Sequence, residues 1–193
     1  MNSDITSILF CGVGGQGVLL ASDIMSSVAI EAGLDVKKSE VHGMAQRGGN
    51  VDSHVRFGTK VHSPIIPKGE VDYLVGMEMV EPLRWAHMLN DRSVIVVNDQ
   101  KIHSLFTATG IAQYPDNAWE ALKAAYPGTI LFDATGLARD MGNPKGVNII
   151  LMGLLAKQMH FEKDLWVTVL RKSLKPKIVD INLQAFERAW NLF

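Results

Sequence analysis

The sequence predicts an α/β fold: an open, mostly parallel, Rossmann-like sheet flanked by helices, with a helical C-terminal part. Three observations predict it. Short apolar runs rich in β-branched residues alternate with helix-period segments through most of the chain. A glycine turn, "GVGGQG" at 12–17, joins the first run to the first helix. From Gly146 onward only helical patterns remain. The 193 residues suffice for one sizeable core, and no linker, repeat or low-complexity segment divides them, so a single domain over 1–193 is expected.

The elements follow in order. "ITSILFC" (5–11) is an apolar, β-branched run and reads as a buried strand. In "VLLASDIMSSVAIEAG", Val18, Met25, Val28 and Ala32 fall near one helical face, and Gly33 is placed to end the helix. "LDVKKSEV" (34–41) reads as the second strand. "NVDSHVRFG" (50–58) alternates, with Val51, Ser53, Val55 and Phe57 on one side and Asp52, His54 and Arg56 on the other, which predicts a half-exposed strand. The runs 50–57 and 59–66 together suggest an antiparallel excursion. "DYLVGME" and "SVIVVND" are further short strands around a helical "EPLRWAHMLN". "PDNAWEALKAAY" reads as a helix and "TILFDA" as a strand whose Asp133 suits an N-cap better than a site. Three helices should follow, "VNIILMGLLAKQMH", "EKDLWVTVLRKSL" and "VDINLQAFERAWNLF". In the last, Leu183, Phe186, Trp190 and Phe193 form one stripe.

Composition narrows the function. A hydrophobic content of 47% against 20% charged residues describes a globular chain, and a formal net charge of -1 speaks against a broad nucleic-acid surface. The start, "MNSDITSILF", lacks the basic region and long apolar run of a signal peptide, and "VNIILMGLLA" is too short to span a bilayer. A cytoplasmic protein is expected. One cysteine, Cys11, excludes an internal disulfide and cannot hold an iron–sulfur cluster, which takes four thiolates. The six histidines are dispersed and form no metal-ligand motif, and no nucleophile–base pair stands out. No catalytic residue and no metal site is therefore expected. Lys37, Lys38, Arg47, Arg56, Lys60 and Lys68 give the early region a basic bias that a solvated face or an anionic ligand would explain.

Two motifs remain. Gly12, Gly14 and Gly17 match G-x-G-x-x-G, after a strand and before a helix, where glycines allow a tight turn and the helix start can receive an anion. Gly14 is expected to need a conformation or a close approach that a β-branched side chain cannot share. A dinucleotide would also require an acidic residue at the end of the second strand. Asp35 falls slightly early and Glu40 slightly late. The second motif, "VHGMAQRGGN" at 41–50, is too glycine-rich for a helix and too polar for a core strand. Three readings stay open on these residues: a subunit of a larger machine, a free-standing NAD(P)-binding oxidoreductase, and a non-catalytic nucleotide-binding assembly module. The missing substrate domain opposes the second.

Taken together, "CGVGGQGVLLAS", "SEVHGMAQRGGNVDSHVRFG" and "NPKGVNIILMGLLA" resemble the gamma subunit, or gamma domain, of 2-oxoacid:ferredoxin oxidoreductases. The "HGMAQRGG" form is most similar to the indolepyruvate branch of that family, from which Asn50 and Asp52 depart. The resemblance covers nearly the whole chain. It implies a non-redox subunit of a complex that oxidatively decarboxylates a 2-oxoacid to an acyl-CoA, with coenzyme A as substrate. It also implies that thiamine diphosphate and iron–sulfur clusters sit on a large catalytic partner chain, with ferredoxin reached through the complex. This chain by itself would bind no cofactor and would be inactive. Contact with coenzyme A or with the partner's active site is expected from Gly12, Gly14, Gly15, Gln16 and Gly17, and from His42, Gly43, Gln46, Arg47, Gly48 and Gly49. Arg47 would reach a carboxylate or phosphate with its planar fork, or brace the interface between chains.

Overall fold

In the computed structural model, residues 5–42, 49–102 and 117–192 are described. The apolar run after the N-terminus forms β1 (Ile5–Val13), the middle of the sheet. Ile8, Leu9, Phe10 and Cys11 are fully buried because both faces of this strand are covered. Next come α1 (Val18–Glu31), β2 (Asp35–His42) and β3 (Asn50–Gly58), then β4 (Val71–Gly76) and a four-residue α2 (Glu81–Arg84). A 3-10 turn (Ala86–Met88) leads into β5 (Leu89–Asn98). The rest is α3 (Ala118–Ala125), β6 (Ile130–Phe132), α4 (Ala134–Asp140), α5 (Val147–Lys157), α6 (Lys163–Ser173) and α7 (Pro176–Trp190).

The six strands run in the order β2-β3-β1-β4-β5-β6. β1, β4, β5 and β6 pair in parallel. Only β3 runs the other way, from Val13↔Asn50 to Ile5↔Gly58 against β1, and from His42↔Val51 to Asp35↔Gly58 against β2. The antiparallel excursion is therefore β3 alone. Residues 59–66 form no strand. Because β3 sits between them, β1 and β2 point the same way, and the segment joining β2 to β3 leaves from the C-terminal edge of the parallel strands.

One face of the sheet carries Ile8, Phe10, Val55, Phe57, Val75 and Val96 against α1, α5, α6 and α7. The other carries Leu9, Cys11, Leu74, Ile95 and Val97 against Ile66, Met88 and Leu122. α5 is buried on all sides from Asn148 to Ala156, as a helix apolar all round must be. At Gly153 a Cβ would lie 2.6 Å from the Phe186 carbonyl, so this glycine sets how closely α5 and α7 pack.

Several expectations are corrected. β3 is not half exposed: Asp52 and His54 are 7% and 6% accessible. The chain at 61–66 folds over that face. There the Ile66 N–H donates to His54 Nδ1 (3.3 Å), while Arg56 donates to the Ile65 carbonyl (3.1 Å). Trp85 stands edge-on to the His54 ring. Ala32 is exposed at the end of α1 and leaves the buried face, which Val18, Ala21, Met25 and Val28 supply. Gly33 does end the helix, at φ 81°, with its N–H donated to the Ile30 carbonyl. Asp133 caps α4 by accepting the Gly136 N–H at 2.6 Å. In the C-terminal stripe Leu183 and Phe186 are buried and Trp190 is half-buried, whereas Phe193 lies outside the described residues.

Candidate functional site

The strand order reverses at β1: its first crossover goes to one side, and β4 lies on the other. Ligands and partners of open α/β sheets meet the crevice at the C-terminal ends of the strands at such a switch point. Here that crevice lies between the turn after β1 and the turn after β4.

The glycine turn builds one wall. Gly15 (φ 100°) and Gly17 (φ 84°) take left-handed conformations, so the backbone demand expected at Gly14 falls on its neighbours. Gly14 instead donates its N–H to the Gly49 carbonyl at 2.9 Å. A Cβ on Gly12 would lie 2.8 Å from both Gln16 Oε1 and Met77 Cβ. Gln16, expected as a ligand contact, spends its amide inside the fold. Its Oε1 accepts the Val13 N–H (2.7 Å) and its Nε2 donates to the Met77 carbonyl (3.1 Å). The side chain thus staples β1 to the end of β4 across the switch point. Behind the turn, the buried Asn148 of α5 donates to the Gly17 carbonyl at 3.3 Å.

Gly49 joins the two sequence motifs at this edge. Gly43, Gln46, Arg47 and Gly48 lie outside the described residues, as does the side chain of His42. The residues that frame them, the end of β2 and Gly49, stand at the C-terminal edge beside the glycine turn.

The second wall was not anticipated. Met77 and Glu78 follow β4 directly. The Met77 N–H donates to the Cys11 carbonyl (2.9 Å), and its carbonyl receives Gln16 and the buried Asn98 amide (3.1 Å). Asn98 Oδ1 also accepts the Ala134 N–H at 3.1 Å, which anchors α4. Glu78 is 1% accessible, yet its Oε1 accepts the N–H groups of Val80 (2.8 Å) and Glu81. Burial, reinforced by the charge of Glu81, pushes its carboxyl up from 4.5 to about 7 despite those donors. Glu81 is raised by burial as well, and Arg84 at 2.9 Å opposes the shift. Asp52 completes an acidic group; its Oδ2 is buried without a hydrogen bond, 3.6 Å from His54 Nε2. Burial first, and then these three carboxylates, hold the Cys11 thiol well above its usual range, so it supplies no thiolate nucleophile or ligand. The one legible signal was two glutamates, at 78 and 81, straight after a buried strand.

Glu78 gives the fold a pH dependence whose sign follows from linkage. Its folded-state value is raised, so the folded chain binds the proton more tightly than the unfolded one between 4.5 and about 7. That stability is fully present below 4.5 and is lost as pH rises through 7. The loss is about 3 kcal/mol. Urea unfolding at pH 5 and pH 8 should show it as a difference between the native chain and Glu78→Gln. Equal slopes for the two proteins would show that Glu78 titrates normally.

Other expected contacts are internal. Asp35 sits at the start of β2, the edge away from the turn, and accepts from Lys37 (2.6 Å) and from the Val61 N–H (2.9 Å). The Lys37 bond, with Val61, lowers its carboxyl to about 2. Glu40 pairs with Lys38, which also meets Asp23. Asp35 therefore cannot serve a ribose at the glycine turn, which removes support from a dinucleotide. The early basic bias is largely answered by these pairs and by the contacts of Arg56. Among the described residues, no group of three or more His, Cys, Asp or Glu could hold a metal ion, and no helix is long and apolar enough to cross a membrane.

Residues 7–192 match the family model described as pyruvate ferredoxin/flavodoxin oxidoreductase. The chain is 38% identical to the "Indolepyruvate oxidoreductase subunit IorB" of Archaeoglobus fulgidus, over 96% of this chain and 94% of that one. Its fold is that of the keto/oxoacid ferredoxin oxidoreductase gamma subunit from Geobacter sulfurreducens (TM-score 0.70, 22% identity, 96% of both chains). It also superposes, with a TM-score of 0.73 and 15% identity, on a 2-oxoglutarate:ferredoxin oxidoreductase from Magnetococcus marinus. That match covers 98% of this chain and 31% of the larger one.

Proposed function

This chain belongs to the pyruvate ferredoxin/flavodoxin oxidoreductase family and is a small, gamma-type subunit of a 2-oxoacid:ferredoxin oxidoreductase; from that premise we propose what its C-terminal edge does. The chain forms one gamma-type domain over 1–193 and works in the cytoplasm. It docks this edge on a large catalytic subunit that carries thiamine diphosphate and iron–sulfur clusters. The complex oxidatively decarboxylates a 2-oxoacid, an aryl pyruvate such as indolepyruvate, to the acyl-CoA and passes the electrons to ferredoxin. The residues here do not fit a cluster, because the sole cysteine is buried with its thiol held protonated.

The observation that carries the reading is the Gly14–Gly49 hydrogen bond, which brings both glycine motifs to one edge at the switch point. Gly14 and Gly15 let another backbone or a coenzyme come close, while Gly12 and Gly17 make room for Met77 and Asn148 and Gln16 holds the turn in shape. His42, Gly43, Gln46, Arg47, Gly48 and Gly49 supply the polar contacts to coenzyme A or to the partner's active site. Co-expression with the large subunit, followed by titration of the complex and of the isolated chain with coenzyme A, NAD(H) and NADP(H), tests it. Coenzyme A should bind the complex. Tight NAD(H) or NADP(H) binding by the isolated chain would favour a free-standing dehydrogenase instead.

The purified chain alone should be colourless and should reduce no viologen dye with any 2-oxoacid. Visible absorption by the purified chain, or turnover without the partner, would overturn the division of labour.

A further inference from the structure

We propose that the outer edge of β2 pairs with the same edge of a second copy of this chain, antiparallel about a twofold axis through Ser39. The inference does not rest on the docking role proposed above. β2 is the last strand on its side of the sheet, and among the described residues no strand pairs with its outer side. Such an edge presents unpaired backbone N–H and C=O groups to any extended segment. Lysines commonly protect an edge of this kind, but here they are answered within the chain. Lys37 pairs with Asp35 at 2.6 Å, and Lys38 pairs with Asp23 of α1 and with Glu40. The strand thus sets two lysines against two acids and carries no excess charge to repel a copy of itself.

The pattern of the strand selects the register. A twofold axis perpendicular to the sheet keeps both copies the same way up, so opposed residues must point to the same face, and only registers centred on a residue qualify. Centres at Lys37, Lys38 or Glu40 put like charges face to face on the axis. Centres nearer the ends, at Val36 or Val41, pair only a short piece of the strand. The Ser39 centre puts a small hydroxyl residue on the axis. It sets Lys38 opposite Glu40 twice on the α1 face, and Lys37 opposite Val41 twice on the other. Val41 is 53% exposed, and the methylene stem of Lys37 from the second copy covers it. The α1 face offers an apolar group as well. Asp23 reaches from α1 to Lys38, and Ile30, two turns further along the helix and 61% exposed, lies on the same stripe above the edge. α1 packs on β3 and β2. Its two copies therefore stand roughly three strand spacings apart, about 14 Å, which leaves room for helices about 10 Å across. Antiparallel pairing turns the two C-terminal edges in opposite directions, so both switch-point crevices stay open.

Sedimentation of the full chain over a concentration series should show a monomer–dimer equilibrium. Lys38→Glu and Glu40→Lys should each weaken it about a hundredfold, because each sets like charges opposite one another at two equivalent places. Mixing the two variants should restore association, since acids then face lysines at both places, whereas a misfolded chain would not recover on mixing. Under mild oxidation Ser39→Cys should cross-link to its own kind, because residues opposed across a strand pair lie within disulfide reach. Lys37→Cys should not, and the native Cys11 is buried. A monomer at every concentration overturns the proposal. A dimer that survives both charge variants, or mixed variants that stay monomeric, overturns it too, and so does cross-linking through Lys37→Cys in place of Ser39→Cys. If the chain alone is monomeric and β2 gains hydrogen-exchange protection only with the large subunit, the edge belongs to that partner and self-pairing is overturned.

Discussion

Gly17→Val should destabilise the chain by about 3 kcal/mol and abolish assembly with the large subunit. Gly17 precedes α1 at φ 84°, where a non-glycine residue costs roughly 1–3 kcal/mol and a β-branched one sits at the upper end. Space is a second obstacle. A Cβ there would lie 2.5 Å from Asn148 Nδ2 and 2.9 Å from its Cγ. Asn148 is 4% accessible and cannot swing to solvent, so its bond to the Gly17 carbonyl breaks, at a cost of roughly 1 kcal/mol. Gly15→Val is the matched control. Its φ of 100° is equally demanding, but nothing lies within 4 Å of its Cβ, so only the backbone strain is added. Urea midpoints of the two variants separate the terms. Equal losses at Gly15 and Gly17 would show that the Asn148 contact contributes nothing.

Arg47→Lys should lower kcat/KM of the reconstituted complex about tenfold to a hundredfold while leaving the melting temperature of the isolated chain unchanged. Lysine keeps the charge and loses the planar fork that holds two oxygens of a carboxylate or phosphate. A charge-assisted hydrogen bond is worth roughly 1.5–3 kcal/mol, which corresponds to that range of rates. Coenzyme A and the 2-oxoacid are varied separately, and the substrate whose KM rises identifies the anion. A melting loss with unchanged kinetics would make Arg47 a brace. A defect that vanishes at high partner concentration would place it in the interface between subunits.

The sequence alone carried the architecture because the apolar period differs between strands and helices. "ITSILFC" and "SVIVVND" read as short strands and "VNIILMGLLA" as a helix, and all three form as read. The family was legible for a related reason. In the first turn Gly12 and Gly17 leave no room for a Cβ and Gly15 and Gly17 take positive φ, demands that few other residue types satisfy, so the turn leaves a recognisable pattern. The joining of Gly14 to Gly49 could not be read locally, since it depends on β3 entering the sheet between β1 and β2. The same insertion misled the reading of Asp52 and His54. Alternation says which residues share a face, but whether water covers that face was decided by residues 61–66 and Trp85 folding over it. Likewise Gln16 looked free to meet a ligand, until Met77, 61 positions away, took its amide. The raised carboxyl of Glu78 lies furthest from anything the sequence determines. A glutamate after a strand is normally solvated, and only the tertiary structure removes the water and places Glu81 beside it, which makes its charge costly near neutral pH.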